Sequence, residues 1–179
     1  MIGVLVSGEG SNLQALIDAE LPIAAVASNK ASVPALGRAA AAGIPARVFP
    51  LEAYASRERR DIEMAAWLTL RGVDLVVSAG FMHLLTPPFL ERFPERIVNV
   101  HPSLLPAFPG ARAIDDALAA GVETTGVTIH YVDEGLDTGT VIRQECVPLE
   151  PRETLVERIH AVEHRLLPEV VRELCSAVH

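Results

Sequence analysis

The chain has a single lysine, two cysteines, no long hydrophobic run and no excess of positive charge. Each shortage removes a class of protein. Fifteen Lys and Arg stand against 23 Asp and Glu, a formal charge of −8, whereas a protein that binds extended nucleic acid must displace counterions with an electropositive surface. Two thiols, Cys146 and Cys175, are too few for a disulfide framework and suit a reducing compartment. No uninterrupted apolar stretch approaches the ~18 residues that span a bilayer. The absence of Lys or Arg before Lys30 also removes the basic start of a secretory signal. Nucleic acid and membrane are therefore excluded as partners, and a cytoplasmic location is expected.

What is present is a chain of 179 residues, half of them hydrophobic and 21% charged. That is apolar enough for a sizeable core and has the length of one domain, residues 1–179. Short β-branched runs alternate with longer Ala- and Leu-rich stretches, the pattern of parallel strands joined by crossover helices in an α/β fold. Strands are predicted near residues 2–6, 23–27, 47–49, 75–78 and 97–100, and helices near 12–19, 33–42, 56–70 and 87–92. After a short helix around 113–119, two strands near 124–132 and 140–148 flank an acidic, Gly-containing loop and predict an antiparallel C-terminal extension. The last element is a long amphipathic helix with Leu155, Ile159, Val162, Leu166 and Val170 on one stripe. Thr154 and Glu157 stand in capping-box spacing at its start, and Pro168 predicts a kink.

Two stretches carry candidate chemistry. Ser7-Gly8-Glu9-Gly10-Ser11-Asn12 links the first strand to the first helix, so backbone N–H groups and the positive end of a helix dipole face an anion. It lacks the Gly-Lys-Ser/Thr of a Walker loop and has Leu13 where the dinucleotide fingerprint needs its third glycine. A compact phosphate monoester suits it better than a pyrophosphate, against the plainer reading of a tight turn with Ser11 as N-cap. In the second stretch, Asn99 and His101 lie on one side of a strand at its carboxyl end, where open α/β sheets bind ligands. With Asp137 from the acidic loop they could serve acyl transfer without a covalent intermediate: an amide donor for an oxyanion, an imidazolium acid, and a carboxylate that holds the imidazolium. The competing readings are a hydrogen-bonded core His and a solvated acidic turn.

His160-Ala161-Val162-Glu163-His164 matches the His-x-x-Glu-His pattern of a zinc peptidase class, with Glu163 as general base if metal were bound. No further ligand is evident on a neighbouring helix. A polar helix face is the expected reading, and no metal is assigned.

Taken together, Ser7-Gly8-Glu9-Gly10-Ser11-Asn12-Leu13, Ser28-Asn29-Lys30, Ser56-Arg57-Glu58, Ala79-Gly80-Phe81-Met82, Asn99-Val100-His101-Pro102-Ser103-Leu104-Leu105-Pro106, Asp137-Thr138-Gly139 and Val162-Glu163-His164-Arg165 resemble the phosphoribosylglycinamide formyltransferase family over nearly the whole chain. The resemblance implies a Rossmann-like, mostly parallel sheet flanked by helices. It implies transfer of a formyl group from 10-formyltetrahydrofolate, as co-substrate, to the amine of glycinamide ribonucleotide, in purine synthesis and without a metal. By that resemblance Gly10, Ser11, Asn12 and Glu163 would hold the ribonucleotide. Arg57, Met82, His83, Leu84, Leu85 and Asn99 would line the formylfolate site, and Asn99, His101 and Asp137 would be catalytic. His83 stands where the family usually has Arg or Lys, and Arg112 where a His is common. A formyltetrahydrofolate hydrolase, a tRNA formyltransferase and a non-catalytic folate- or nucleotide-binding protein are the alternatives. The first two usually carry an extra domain, and intact Asn99, His101 and Asp137 argue against the third. A monomer or a homodimer is expected.

Overall fold

A computed structural model describes residues 1–177. Its centre is a seven-stranded sheet in the order β3-β2-β1-β4-β5-β6-β7. The strands are β1 (Ile2–Val6), β2 (Ile23–Ser28), β3 (Ala46–Val48), β4 (Leu75–Ser78), β5 (Ile97–His101), β6 (Thr124–Tyr131) and β7 (Val141–Pro148). The first five run parallel, and β6 and β7 extend the sheet antiparallel. The helices are α1 (Ser11–Asp18), α2 (Pro34–Ala41), α3 (Arg57–Leu70), α4 (Pro87–Arg92), α5 (Ala113–Ala120) and α6 (Leu155–Ser176).

The central strands are apolar apart from Ser78, Asn99 and His101 toward their carboxyl ends, because both faces of the sheet are covered. On β1, Ile2, Val4 and Val6 pack with Leu13, Leu16, Leu166 and Val170 of α1 and α6. Leu5 points the other way, into a cluster with Phe49, Met64, Leu68 and Phe89. A strand with period-two side chains thus joins two cores, and each fully buried aliphatic side chain contributes roughly 1.5–3 kcal/mol. The chain leaves β1 toward β2 on one side and returns to β4 on the other, so strand order reverses between β1 and β4. A crevice opens at that point, beyond the carboxyl ends of the strands.

The predicted elements appear with end shifts of one or two residues. One shift matters: β5 runs through His101, which makes that imidazole part of the sheet rather than of the following loop. Ser56 caps α3, its hydroxyl accepting from Arg59 N–H at 3.2 Å. The expected capping box at α6 is absent. Thr154 closes a turn of 3-10 helix, Arg152–Thr154, with φ −108° and ψ 4°, and its hydroxyl donates back to the Pro151 carbonyl. An extended N-cap backbone is needed to swing the oxygen over the first helical turn, and Thr154 does not have one. The stripe of α6 is buried as expected, apart from a half-buried Val162, and the helix continues through Pro168 to Ser176.

Candidate active site

A cleft of about 440 Å³ lies over the strand-order reversal, walled by the ends of β1, β4 and β5, the 110–111 and 133–137 loops, and His160 and Glu163 of α6. Of the residues given catalytic, ribonucleotide or formylfolate roles from sequence, Arg57 alone is not in this wall. It opens α3 directly after the Ser56 cap and faces solvent. Its charge still reaches the cleft, helping to hold the His83 imidazole below its ordinary pKa after burial and Arg60 have done most of that work. Met82 and Leu84 are 58% and 47% exposed, large apolar side chains left open on the cleft side, whereas Leu85 is buried.

At the β5 end of the cleft, His101 is buried and both ring nitrogens are addressed. Nε2 donates to the Phe108 carbonyl at 2.8 Å, and Nδ1 lies 3.4 Å from Asp137 Oδ2. A carbonyl only accepts, so Nε2 carries a hydrogen in either charge state and any proton the ring exchanges is the one on Nδ1. Phe108 makes this contact from a left-handed backbone, φ 52°. The loop leading to it is pinned by Ser103 Oγ donating to the Ala107 carbonyl and by Thr128 Oγ1 donating to the Ser103 carbonyl while accepting from Leu105 N–H.

Asp137 also sits at positive φ, 54°, in a loop ordered by Asp133, whose carboxylate accepts from Gly135 N–H and the Thr138 hydroxyl. Gly139 is required behind it, because a Cβ there would fall 1.8 Å from the Tyr131 carbonyl oxygen. Burial pushes the Asp137 carboxyl up. The His130 ring, the Gly110 N–H at 2.8 Å and the His101 charge more than offset that, so its pKa lies below the ordinary value. It stays an anion beside His101 Nδ1.

The sequence reading missed His130. It lies directly across from Asn99 in the β5–β6 register, is buried, and its Nε2 is 3.2 Å from Asn99 Nδ2 and 3.6 Å from Asp137 Oδ1. Its Nδ1–H goes to the Tyr131 carbonyl at 2.8 Å, so the neutral ring accepts from Asn99 and leaves the second Nδ2 hydrogen to face the cleft. The β6–β7 register shifts beside it, between Ile129 and His130, where β7 carries the extra residue Ile142, as irregularities beside sites commonly do.

The other end of the cleft is the β1–α1 loop. Gly10, not Ser11, occupies the cap position of α1, at φ 73°, and no side chain caps the helix. The first N–H groups of α1 are therefore free for an anion. A Cβ on Gly10 would stand 2.6 Å from the Ala35 Cβ, so glycine is demanded by both backbone and α2. Next to it Asn12 Nδ2 donates to Glu163 Oε2 at 3.3 Å, and Asn12 Oδ1 is buried without a partner. Burial holds the Glu163 carboxyl above its ordinary pKa, despite the opposing His160 charge and the Asn12 bond. His160 and His164 stack with centroids 6.0 Å apart. Among the described residues no three His, Cys, Asp or Glu converge as a metal site, and no helix is long and apolar enough to cross a membrane.

A family model described as formyl transferase matches residues 1–171. The trifunctional purine biosynthetic protein adenosine-3 of Drosophila pseudoobscura pseudoobscura is 46% identical over 186 residues, covering 98% of this chain and 14% of that protein. The chain thus spans about a seventh of that relative's length. The phosphoribosylglycinamide formyltransferase of Mycobacterium tuberculosis is 44% identical over 185 residues, 97% of this chain and 84% of that one. Among solved structures, glycinamide ribonucleotide transformylase 1 of Symbiobacterium toebii superposes with a TM-score of 0.94 at 45% identity, over 98% of this chain and 87% of that one.

Proposed function

The chain belongs to the formyl transferase family, and on that premise we propose that it transfers the formyl group of 10-formyltetrahydrofolate to the amine of glycinamide ribonucleotide. Residues 1–179 then act as one formyl-transfer domain on two small-molecule substrates. The observation that carries this reading is the ring of His101, with Nε2–H committed to Phe108 and Nδ1 facing both Asp137 and the cleft.

The uncapped start of α1 at Gly10, Ser11 and Asn12 receives the phosphate. Glu163 and the free Asn12 Oδ1 are acceptors for sugar hydroxyls. The apolar faces of Met82, Leu84 and Leu85, with His83, form the wall for the folate. The neutral amine attacks the formyl carbon, and negative charge grows on the formyl oxygen. Asn99 Nδ2–H and His101 Nδ1–H are donors already in place for it, and such preorganised donors do not have to reorient during the reaction. As the tetrahedral species collapses, the bond from carbon to the folate nitrogen breaks. The surplus amine proton passes by way of Asp137, through water, to that departing nitrogen. The imidazole can cycle between its charged form and the neutral Nε2–H tautomer without losing the Phe108 bond.

The test is consumption of 10-formyltetrahydrofolate by purified protein with and without glycinamide ribonucleotide. Turnover that needs the acceptor supports the transferase. Equal turnover without it makes the protein a hydrolase, and tight binding of either substrate with no turnover makes it a binding module.

A further inference from the structure

Among the described residues the bulkiest fully buried side chain is a cation, Arg60 of α3, at zero exposure. Asp61, equally buried, accepts its Nε–H at 2.8 Å and lies 2.6 Å from Nη2. Nη2 is nonetheless misaligned for a hydrogen bond. The remaining arm, Nη1, donates to His83 Nδ1 at 2.6 Å, and the guanidinium sits 5.6 Å over the Phe81 ring. The second oxygen of Asp61 accepts from both Thr86 N–H and the Thr86 hydroxyl, each at 2.8 Å. Two adjacent residues of α3 therefore grip the 81–86 segment at three points. From the opposite side Met82 N–H donates to Ser7 Oγ at 2.9 Å, and Ser7 donates to Asn29 Oδ1.

A buried ion pair is a weak source of stability, since apolar side chains of similar volume commonly serve as well. Its hydrogen bonds are directional, however, and fix positions where apolar packing tolerates slippage. A guanidinium can only donate, so His83 Nδ1 accepts at 2.6 Å and the neutral ring carries its single hydrogen on Nε2. The longer approach of Asn29 Nδ2, 3.3 Å from Nε2, is then a packing contact between two donors and not a hydrogen bond. We propose that Arg60 is a positioning residue for the folate substrate: through His83 it holds the Met82–Leu85 wall in the geometry that binds formylfolate. The inference rests on the reading of that wall as the folate site.

Two variants test it. Arg60→Met combined with Asp61→Asn removes both buried charges together and keeps an oxygen for Thr86. His83→Phe leaves the ion pair intact and removes only the acceptor. Each is expected to raise KM for 10-formyltetrahydrofolate about tenfold, the worth of one hydrogen bond to a charged group. KM for the ribonucleotide should stay unchanged, and combining all three substitutions should add little. Equal rises in both KM values, or a lower Tm with neither KM moved, would reduce Arg60 to a fold-stabilising charge and overturn the proposal. Nitrogen-15 shifts of the His83 ring give an activity-free readout: a neutral ring with Nδ1 as acceptor, lost in the Arg60→Met, Asp61→Asn protein. A wild-type ring with mixed tautomers also overturns it. Wild-type protein that binds no formylfolate, yet shows the Nδ1-acceptor signature, overturns the folate reading and leaves the Arg60–His83 contact standing.

Discussion

His130 and Asn99 face each other across the antiparallel β5–β6 pair, with Asn99 Nδ2 3.2 Å from His130 Nε2. In the neutral ring this contact orients the Asn99 amide, because His130 Nδ1–H is given to the Tyr131 carbonyl and the bare Nε2 accepts from Asn99 Nδ2. The same ring lies 3.6 Å from Asp137. One buried imidazole therefore stands behind both the amide and the carboxylate. His130→Phe keeps the ring volume but removes both contacts. It is expected to lower kcat roughly 10- to 100-fold, the size of effect that misplacing a reacting group produces. Steady-state kinetics at saturating substrates check this, and an unchanged kcat would remove His130 from the machinery.

Gly10 links the fold to the end of the cleft proposed to hold the phosphate. Gly10→Ala must place a methyl against Ala35 in a left-handed backbone, at a cost of about 1–3 kcal/mol in stability. Relieving the clash would move the start of α1, so KM for the ribonucleotide should rise while KM for formylfolate stays near wild type. Thermal melts together with separate KM measurements check the pair of outcomes. A lower Tm with both KM values unchanged would leave Gly10 a packing residue only.

Much of this site is legible in sequence because it sits at chain-local features. A glycine-rich turn before a helix, a polar pair ending an apolar strand and an acidic loop between two strands each announce themselves over a few residues. His130 does not, since its importance comes from register: nothing local says that it will stand opposite Asn99. Arg60 is hidden differently. In the run Arg57-Glu58-Arg59-Arg60-Asp61 it reads as one more solvated charge, and only tertiary packing buries it with Asp61 against the 81–86 segment. The failed capping box at Thr154 shows the reverse case, a correct local pattern overruled by the 3-10 turn that precedes it.

Asp137→Asn preserves size and the acceptor for Gly110 N–H but removes the charge beside His101 and His130. The fold and formylfolate binding should survive while kcat falls by about 10²-fold or more, as for loss of a preorganised electrostatic group. Because the carboxyl titrates below its ordinary 3.8, its contribution to stability is fully present above that value and is lost as pH falls through the lower, folded-state pKa. Acid melts of wild type should therefore show a loss below pH ~3.8 that the variant lacks. Near-normal kcat in the variant would end the proposed role of the carboxylate.

Glu163 has the opposite sign, and the contrast separates function from stability. Burial raises its pKa in the folded state, so the folded protein holds this proton more tightly than the unfolded chain does. Stability from this group is full below the ordinary value of 4.5 and is lost as pH rises through the folded-state pKa. Wherever Glu163 ionises in the folded protein, the site keeps a buried carboxylate at the expense of stability. Glu163→Gln removes that ionisation and keeps an oxygen to accept from Asn12 Nδ2. The variant is expected to match wild type in Tm near pH 4.5 and exceed it at pH ~8. Its KM for the ribonucleotide should rise about tenfold through loss of a charged acceptor for the sugar hydroxyls. Melting curves across that range with ribonucleotide KM measured alongside check the combination. A variant less stable than wild type at the alkaline end would show that the carboxylate supports the fold rather than burdening it.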